Sequence, residues 1–298
     1  MRDCDPPVSR DQSSMLCSLR FAVRHETRYR YNVPVVLGPH LLRLTPRPEY
    51  AMRARTLVVR PEPVEQRDEE DAFGNPITRV VFGDAATHVL SIESRFELDT
   101  EVSEAAKVTS SERLPLPRPF ADPLGAYRPL QNDADDGVAA FAHAVAAEVG
   151  YAPVAFVEHL CRTIHQRAQK QIRPSGEAQS AAQTLATWHG ACRDFTVLYL
   201  AAARSLGLPA RFCSGYQAAA DTPDGRHYLH AWAEVFVPGV GWRGWDPTHG
   251  IPVTDGHIAL AAATDQAGTM PVVGGYSFVG PSLTSTLDFD LEIRTTAR

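Results

Sequence analysis

From Phe195 to Leu206 a helical register places apolar residues on nearly every face. Phe195, Leu198, Tyr199, Ala202 and Leu206 recur at helical spacing, and Val197, Leu200, Ala201 and Ala203 fill the remainder. A helix apolar nearly all round is a buried one, so the rest of the fold has to be arranged about it. Gly207-Leu208-Pro209 is a strong stop signal. The start falls at Gly190-Ala191-Cys192-Arg193-Asp194. Cys192 therefore sits at or just before the first turn, where free backbone N–H groups and the helix dipole favour a thiolate. The small residues Gly190 and Ala191 would let backbone or substrate approach the sulfur closely.

Most single cysteines are small buried hydrophobes, so the helix start alone does not make Cys192 a nucleophile. Two downstream segments strengthen the reading. Tyr228 to Pro238 alternates as a strand, with His230, Trp232, Glu234 and Phe236 on one face and Ala231, Ala233, Val235 and Val237 on the other. Gly239 and Gly241 bracket a turn, and Gly241 to Asp246 forms the return strand before Pro247 ends it. His230 near the start of one strand and Asp246 at the end of the other become neighbours in such a hairpin. A base and the carboxylate that orients it are thus brought together by local geometry.

Residues 19–100 read as β structure. Phe21 to Tyr31, Arg55 to Arg60, Ile77 to Phe82 and His88 to Leu98 form short runs separated by turn signals such as Phe73-Gly74-Asn75-Pro76, the pattern of a small β-sandwich. His25 and His88 lie on strand faces and read as packed or solvated side chains. Pro115, Pro117, Pro119, Pro123 and Pro129 crowd residues 101–130, which we take as a linker. A core over 131–298 follows. One helix begins at Asp133 under an acidic cap and closes at Gly150, and a second starts at Pro153 with Cys161 on its apolar stripe. Cys213 falls inside the strand that follows the Cys192 helix, and further strands are expected at 257–262, 272–279 and 286–293.

The net charge of −6 is spread along the chain without a basic stripe, which argues against a nucleic-acid partner. No apolar run reaches membrane-spanning length. Five cysteines at irregular spacing suggest a reducing compartment, and residues 1–18 are polar without the apolar region of a secretory signal. The expectation is a cytoplasmic protein with a disordered N-terminal tail, for which Met15 is an alternative start.

The segments GACRDFTVLYLAAARSLGLPARFCSGY and HAWAEVFVPGVGWRGWDPTHG resemble the transglutaminase-like superfamily, and LRFAVRHETRYRYNVPVVLGPHLLRLTPRP resembles the β-rich domain that precedes this core in a bacterial subgroup. The resemblance implies an α+β fold, a papain-like core of helices on an antiparallel sheet preceded by the small β domain. It implies a Cys-His-Asp triad of Cys192, His230 and Asp246. Such a triad performs acyl transfer on amide bonds of peptides or proteins through a Cys192 thioester. Water as acceptor makes a peptidase- or amidase-type hydrolase, which we place slightly ahead; an amine makes a transamidase. No cofactor or metal is implied, and no oxyanion-holding side chain is assigned.

Three alternatives stay open. All four tryptophans (188, 232, 242, 245) fall near these motifs; either they wall a cleft, with Trp188 and Trp232 as candidate substrate-binding residues, or they are ordinary core. His189, Cys192, His227 and His230 have the types and number for tetrahedral zinc. A non-enzymatic binding module on the same fold is the third.

Overall fold

The computed structural model describes residues 19–100, 110–117, 124–127, 135–219, 222 and 224–297. The expected tail over 1–18, and Asp133, lie outside these residues. The first strands are β1 (Leu19–Leu42), β2 (Ala51–Arg60), β3 (Glu65–Glu70), β4 (Pro76–Val81) and β5 (Thr87–Asp99). Strand β3, Glu-Gln-Arg-Asp-Glu-Glu, has no apolar alternation to betray it, because among the described residues it is an edge strand paired with β4 alone. Strand β1 serves both ends of the sheet. Its first half pairs with β5 from Arg20 opposite Asp99 to Arg30 opposite Val89. After a register shift between Arg30 and Val35, a stretch that holds Pro34, its second half pairs with β4. A proline has no N–H to give to a ladder, so a change of partner suits that position.

Helix α1 (Asp136–Glu148) starts later than Asp133, with Asp135 as the cap whose carboxylate accepts the Val138 N–H. Helix α2 (Pro153–Arg167) opens on its proline as expected. A two-residue strand β6 (Gln169–Lys170) pairs in parallel with β7 (His189–Gly190), and between them lies α3 (Ala181–Thr187). Helix α4 (Cys192–Ser205) begins at Cys192 itself. Leu114 and Leu116 of the proline-rich segment are buried against this helical layer, and the Leu116 N–H donates to Leu206 O. Gly207, at φ +84°, would carry a Cβ 2.7 Å from Leu116 O, so both the turn and the close approach require glycine there.

The second sheet contains β8 (Ala210–Gln217), β9 (His230–Val237), β10 (Gly241–Asp246), β11 (Ile251–Pro252) and β12 (His257–Ala263), in the order β11-β10-β9-β8-β12. Ala231, Ala233, Val235 and Val237 of β9 join the core built by Phe195, Leu198 and Tyr199 of α4 and by residues of α1 and α2. The β9 alternation thus holds, and α4 is buried between helices and sheet as its sequence requires.

The last strands, β13 (Val272–Phe278) and β14 (Ser285–Ala297), do not belong to this core. Both pair with β1, β14 along residues 19–31 and β13 along 35–42. The expected boundary of a core running to 298 is therefore corrected: the chain returns to complete the first sheet. The physical reason is the length of β1, whose second edge would otherwise present unpaired N–H and C=O groups. The β-rich region is accordingly one seven-stranded sheet. Tyr31, Leu42, Val59, Val80, Leu90 and Ile92, from four of its strands, share a core cluster of their own.

The two sheets are packed together. Phe21, Phe96 and Leu291 of the first share a buried cluster with Tyr216, Ile258 and Leu260 of the second. Asn75, fully buried, donates to Ala262 O at 2.9 Å and accepts its N–H at 2.8 Å, closing the free edge of β12. His25 joins the interface through Nδ1, 2.8 Å from the Tyr216 hydroxyl. Burial pushes the His25 pKa down to about 4. An unfolded chain takes up that proton near pH 6.5 while the folded one refuses it until about 4, so stability is expected to fall as pH drops through this window, by on the order of 3 kcal/mol. Urea midpoints from pH 7 to 4.5 in wild type and His25→Phe check this; equal slopes in both would remove His25 as the cause.

Candidate active site

Cys192 is the first residue of α4, and its position is fixed by Asp194 two residues on. Asp194 is fully buried. One oxygen accepts the Ala191 N–H at 2.7 Å; the other accepts the Gln179 N–H at 2.8 Å and Nη2 of Arg173 at 2.7 Å. The carboxylate thus caps the helix and ties it to the loop that follows β6. Gly190 is small for this reason: a Cβ there would lie 2.8 Å from the Asp194 Cβ. The space reserved by Gly190 is filled by Asp194, not only by an approaching substrate. Asp194→Ala leaves Arg173 and two N–H groups without their acceptor, and should lower stability by about 2–4 kcal/mol. Denaturant unfolding measures that cost, and an unchanged midpoint would take Asp194 out of the frame.

His230 opens β9 and Asp246 closes β10, as the hairpin reading requires. His230 Nε2 lies 2.7 Å from Asp246 Oδ2. Cys192 shares a hydrogen bond with His230, and the Ala231 N–H is also directed at its sulfur. With Nε2 engaged by Asp246, Nδ1 is the ring nitrogen left to face the thiol. The three sequence-assigned residues are therefore assembled into one chain of hydrogen bonds.

The electrostatics of this chain favour charge separation. Burial opposes ionisation of all three groups, but each partner outweighs it. The Cys192 pKa is lowered by the His230 hydrogen bond and charge. His230 is raised to about 10, chiefly by Asp246. Asp246 is held well below the usual carboxylate range by His230, with further help from His249 and His257. By contrast, burial raises the thiols of Cys161 and Cys213. Both are core residues, as their patterns indicate.

Asp246 holds more than one imidazole, which the sequence reading did not find. Its Oδ2 also lies 2.7 Å from His249 Nδ1 and 3.4 Å from His257 Nε2. Its Oδ1 accepts the N–H groups of Thr248 and His249, and Cys161 Sγ donates to its backbone oxygen at 3.3 Å. His249 comes from the turn three residues beyond Asp246, and His257 comes from β12 and has no local signal.

The candidate tryptophans are placed elsewhere. Trp188 adopts φ +56°, ends α3, and packs its ring 5.7 Å from Phe141 and 5.3 Å from the Arg167 guanidinium. Trp232 is fully buried with Cys213 and Ala259. Neither lines the cleft described next, so their proposed substrate contact is corrected: each ring is taken up by packing between elements. The zinc alternative also fails on geometry. His189 is exposed and turns Nδ1 to Thr187 O. Among the described residues the ligand-type cluster is His230, Asp246 and His249.

Cys192 and His230 open into a cleft of about 700 Å³. Its walls come from both parts of the chain: the loop after β6, the segment before β9, and Tyr29, Leu287 and Phe289 of the first sheet. Lys170, Arg173, Arg193 and Arg226 line it, and no aspartate or glutamate does among the described residues.

Comparison with known proteins gives two matching family models. Residues 139–247 match the transglutaminase-like superfamily, and residues 21–99 the bacterial transglutaminase-like N-terminal region. An uncharacterized protein of Mycobacterium leprae is 28% identical over 290 residues, covering 92% of this chain and 98% of its own. One of Mycobacterium tuberculosis is 28% identical over 275 residues, covering 86% and 87%. The crystal structure of a candidate cysteine protease from Cytophaga hutchinsonii superposes with a TM-score of 0.68 at 17% identity, covering 94% of this chain and 91% of that one. At that identity the likeness concerns the fold.

Proposed function

We propose, from the premise that this chain belongs to the transglutaminase-like superfamily, that it is a cysteine-dependent acyl-transfer enzyme acting on amide bonds of peptides or proteins, with water as the acceptor. The observation that carries the reading is the continuous Cys192–His230–Asp246 hydrogen-bond chain at the floor of an accessible cleft. The Cys192 thiolate attacks the amide carbonyl and forms a thioester, while the His230 imidazolium gives its proton to the departing amine. His230 then takes a proton from water as the thioester is hydrolysed. Asp246 stays ionised and holds the imidazole in orientation. The Cys192 N–H at the start of α4 is a donor for the developing oxyanion.

The choice of water over an amine rests on charge. A protonated lysine would have to enter a cleft lined, among the described residues, by four cationic side chains and no carboxylate. A peptide library incubated with enzyme and a labelled amine tests this by mass spectrometry. The expected products are new termini or deamidated glutamines that depend on Cys192; incorporation of the amine would make the protein a transamidase, and products undiminished in Cys192→Ala would end the acyl-transfer reading.

A further inference from the structure

The cleft has a charge opposite to that of the molecule. The chain carries −6 overall, yet four basic residues line the cleft into which the nucleophile opens. We propose, resting on the acyl-transfer reading above, that this site selects peptides bearing an acidic side chain close to the reacting amide.

Not all four cations are compensated within the protein. Arg173 is paired with Asp194. Arg193, next to Cys192, instead donates to the backbone oxygens of Arg173 and Ser175, at 2.7 and 2.6 Å. Among the described residues its guanidinium meets no carboxylate. The Nε groups of both Arg173 and Arg193 are buried without an acceptor. Arg226 lies on the segment before β9 and donates to Phe289 O at 3.3 Å. Its guanidinium sits 5.5 Å from the Phe289 ring centroid and 5.9 Å from that of Tyr228, and these two rings are themselves packed edge to face. Aromatic faces hold the planar cation in place but do not neutralise it, and the neighbouring Asp224 carboxylate is taken by the Arg226 backbone N–H and the Tyr228 hydroxyl, so the remaining guanidinium donors stay matched to an incoming carboxylate.

Among the described residues, the two carboxylates tied to Cys192 and His230 do not offset Arg193 and Arg226. Asp194 is already shared with Arg173 and two N–H groups, and Asp246 lies behind His230. A cleft with low-dielectric walls focuses such a field on whatever enters, raising the local concentration of anions and lowering that of cations. The same field that turns away a lysine amine draws in a glutamate or aspartate side chain.

Cys192 itself can report the field. Iodoacetate and iodoacetamide differ in one carboxylate, and the ratio of their alkylation rates at Cys192, read by peptide mass, measures the preference for an anion. The expected ratio in wild type exceeds that of Arg226→Met by about 5-fold in dilute buffer. Arg226→Lys should keep most of it, and 0.5 M salt should compress the difference. In parallel, two decapeptides that differ only by glutamate or glutamine beside the central amide should protect Cys192 from iodoacetamide, the glutamate form at about 10-fold lower concentration. A ratio indifferent to Arg226 and to salt, or equal protection by both peptides, overturns the acidic-substrate inference while leaving acyl transfer standing. A Cys192 no more reactive than a free thiol would instead sink the proposed function.

Discussion

Replacing His230 by alanine is expected to lower the alkylation rate of Cys192 at pH 6 by about two orders of magnitude. An isolated thiol of pKa about 8.5 is only about 0.3% ionised at that pH. In the intact site the His230 hydrogen bond and charge outweigh the burial that resists ionisation, and the Ala231 N–H adds to them. The wild-type rate should therefore depend on pH less steeply than that of a free thiol below pH 8. Without His230 the burial remains and its compensation is gone, so the rate should climb about tenfold per pH unit toward and beyond 8.5. Peptide mass spectrometry after timed iodoacetamide labelling reads Cys161 and Cys213 in the same sample. Both should stay inert in either protein, because they are buried. Parallel profiles for wild type and His230→Ala would show that no thiolate–imidazolium pair exists.

The second large effect is expected at Asp246. Asn retains an oxygen for the Thr248 and His249 N–H groups but removes the charge that favours the His230 imidazolium. It also presents an amide donor to ring nitrogens that need an acceptor, so the His230 tautomer is no longer held. Loss of turnover by about a thousand- to ten-thousand-fold should follow once a substrate is in hand. Before then, the Cys192 alkylation profile should shift toward the free-thiol range, because His230 titrates lower without its counter-charge. Asp246→Ala should also cost about 3–5 kcal/mol of stability, since three imidazoles and two N–H groups lose a buried acceptor. A variant with wild-type alkylation and stability would show that Asp246 does not orient the base.

How much of this was legible beforehand depends on the range of the interaction. The helix of Cys192 was written in apolar spacing with a glycine stop, and it begins at the residue expected. The hairpin was written in alternation and turn chemistry, and it places His230 2.7 Å from Asp246. These are signals carried within about twenty residues, where chain geometry alone limits the outcomes. The triad followed because its base and carboxylate share one hairpin, while its nucleophile sits at a helix end that such a chain must bury nearby.

What the tertiary structure decided lies between segments far apart in sequence. Helix α3 and strand β3 carry too little apolar pattern to announce themselves. His257 reaches Asp246 from another strand, and Gln179 reaches Asp194 from the loop before α3. Both depend on how elements dock, which no local periodicity encodes. The return of β13 and β14 to β1 spans more than two hundred residues, and only the unfilled edge of β1 selects them. That same return brings Leu287 and Phe289 to the cleft and sets Arg226 on an aromatic wall. The sequence by itself determined the Cys192, His230 and Asp246 arrangement, because their placement is local. The space and charge in front of them belong to the packed molecule, because separate elements supply each wall.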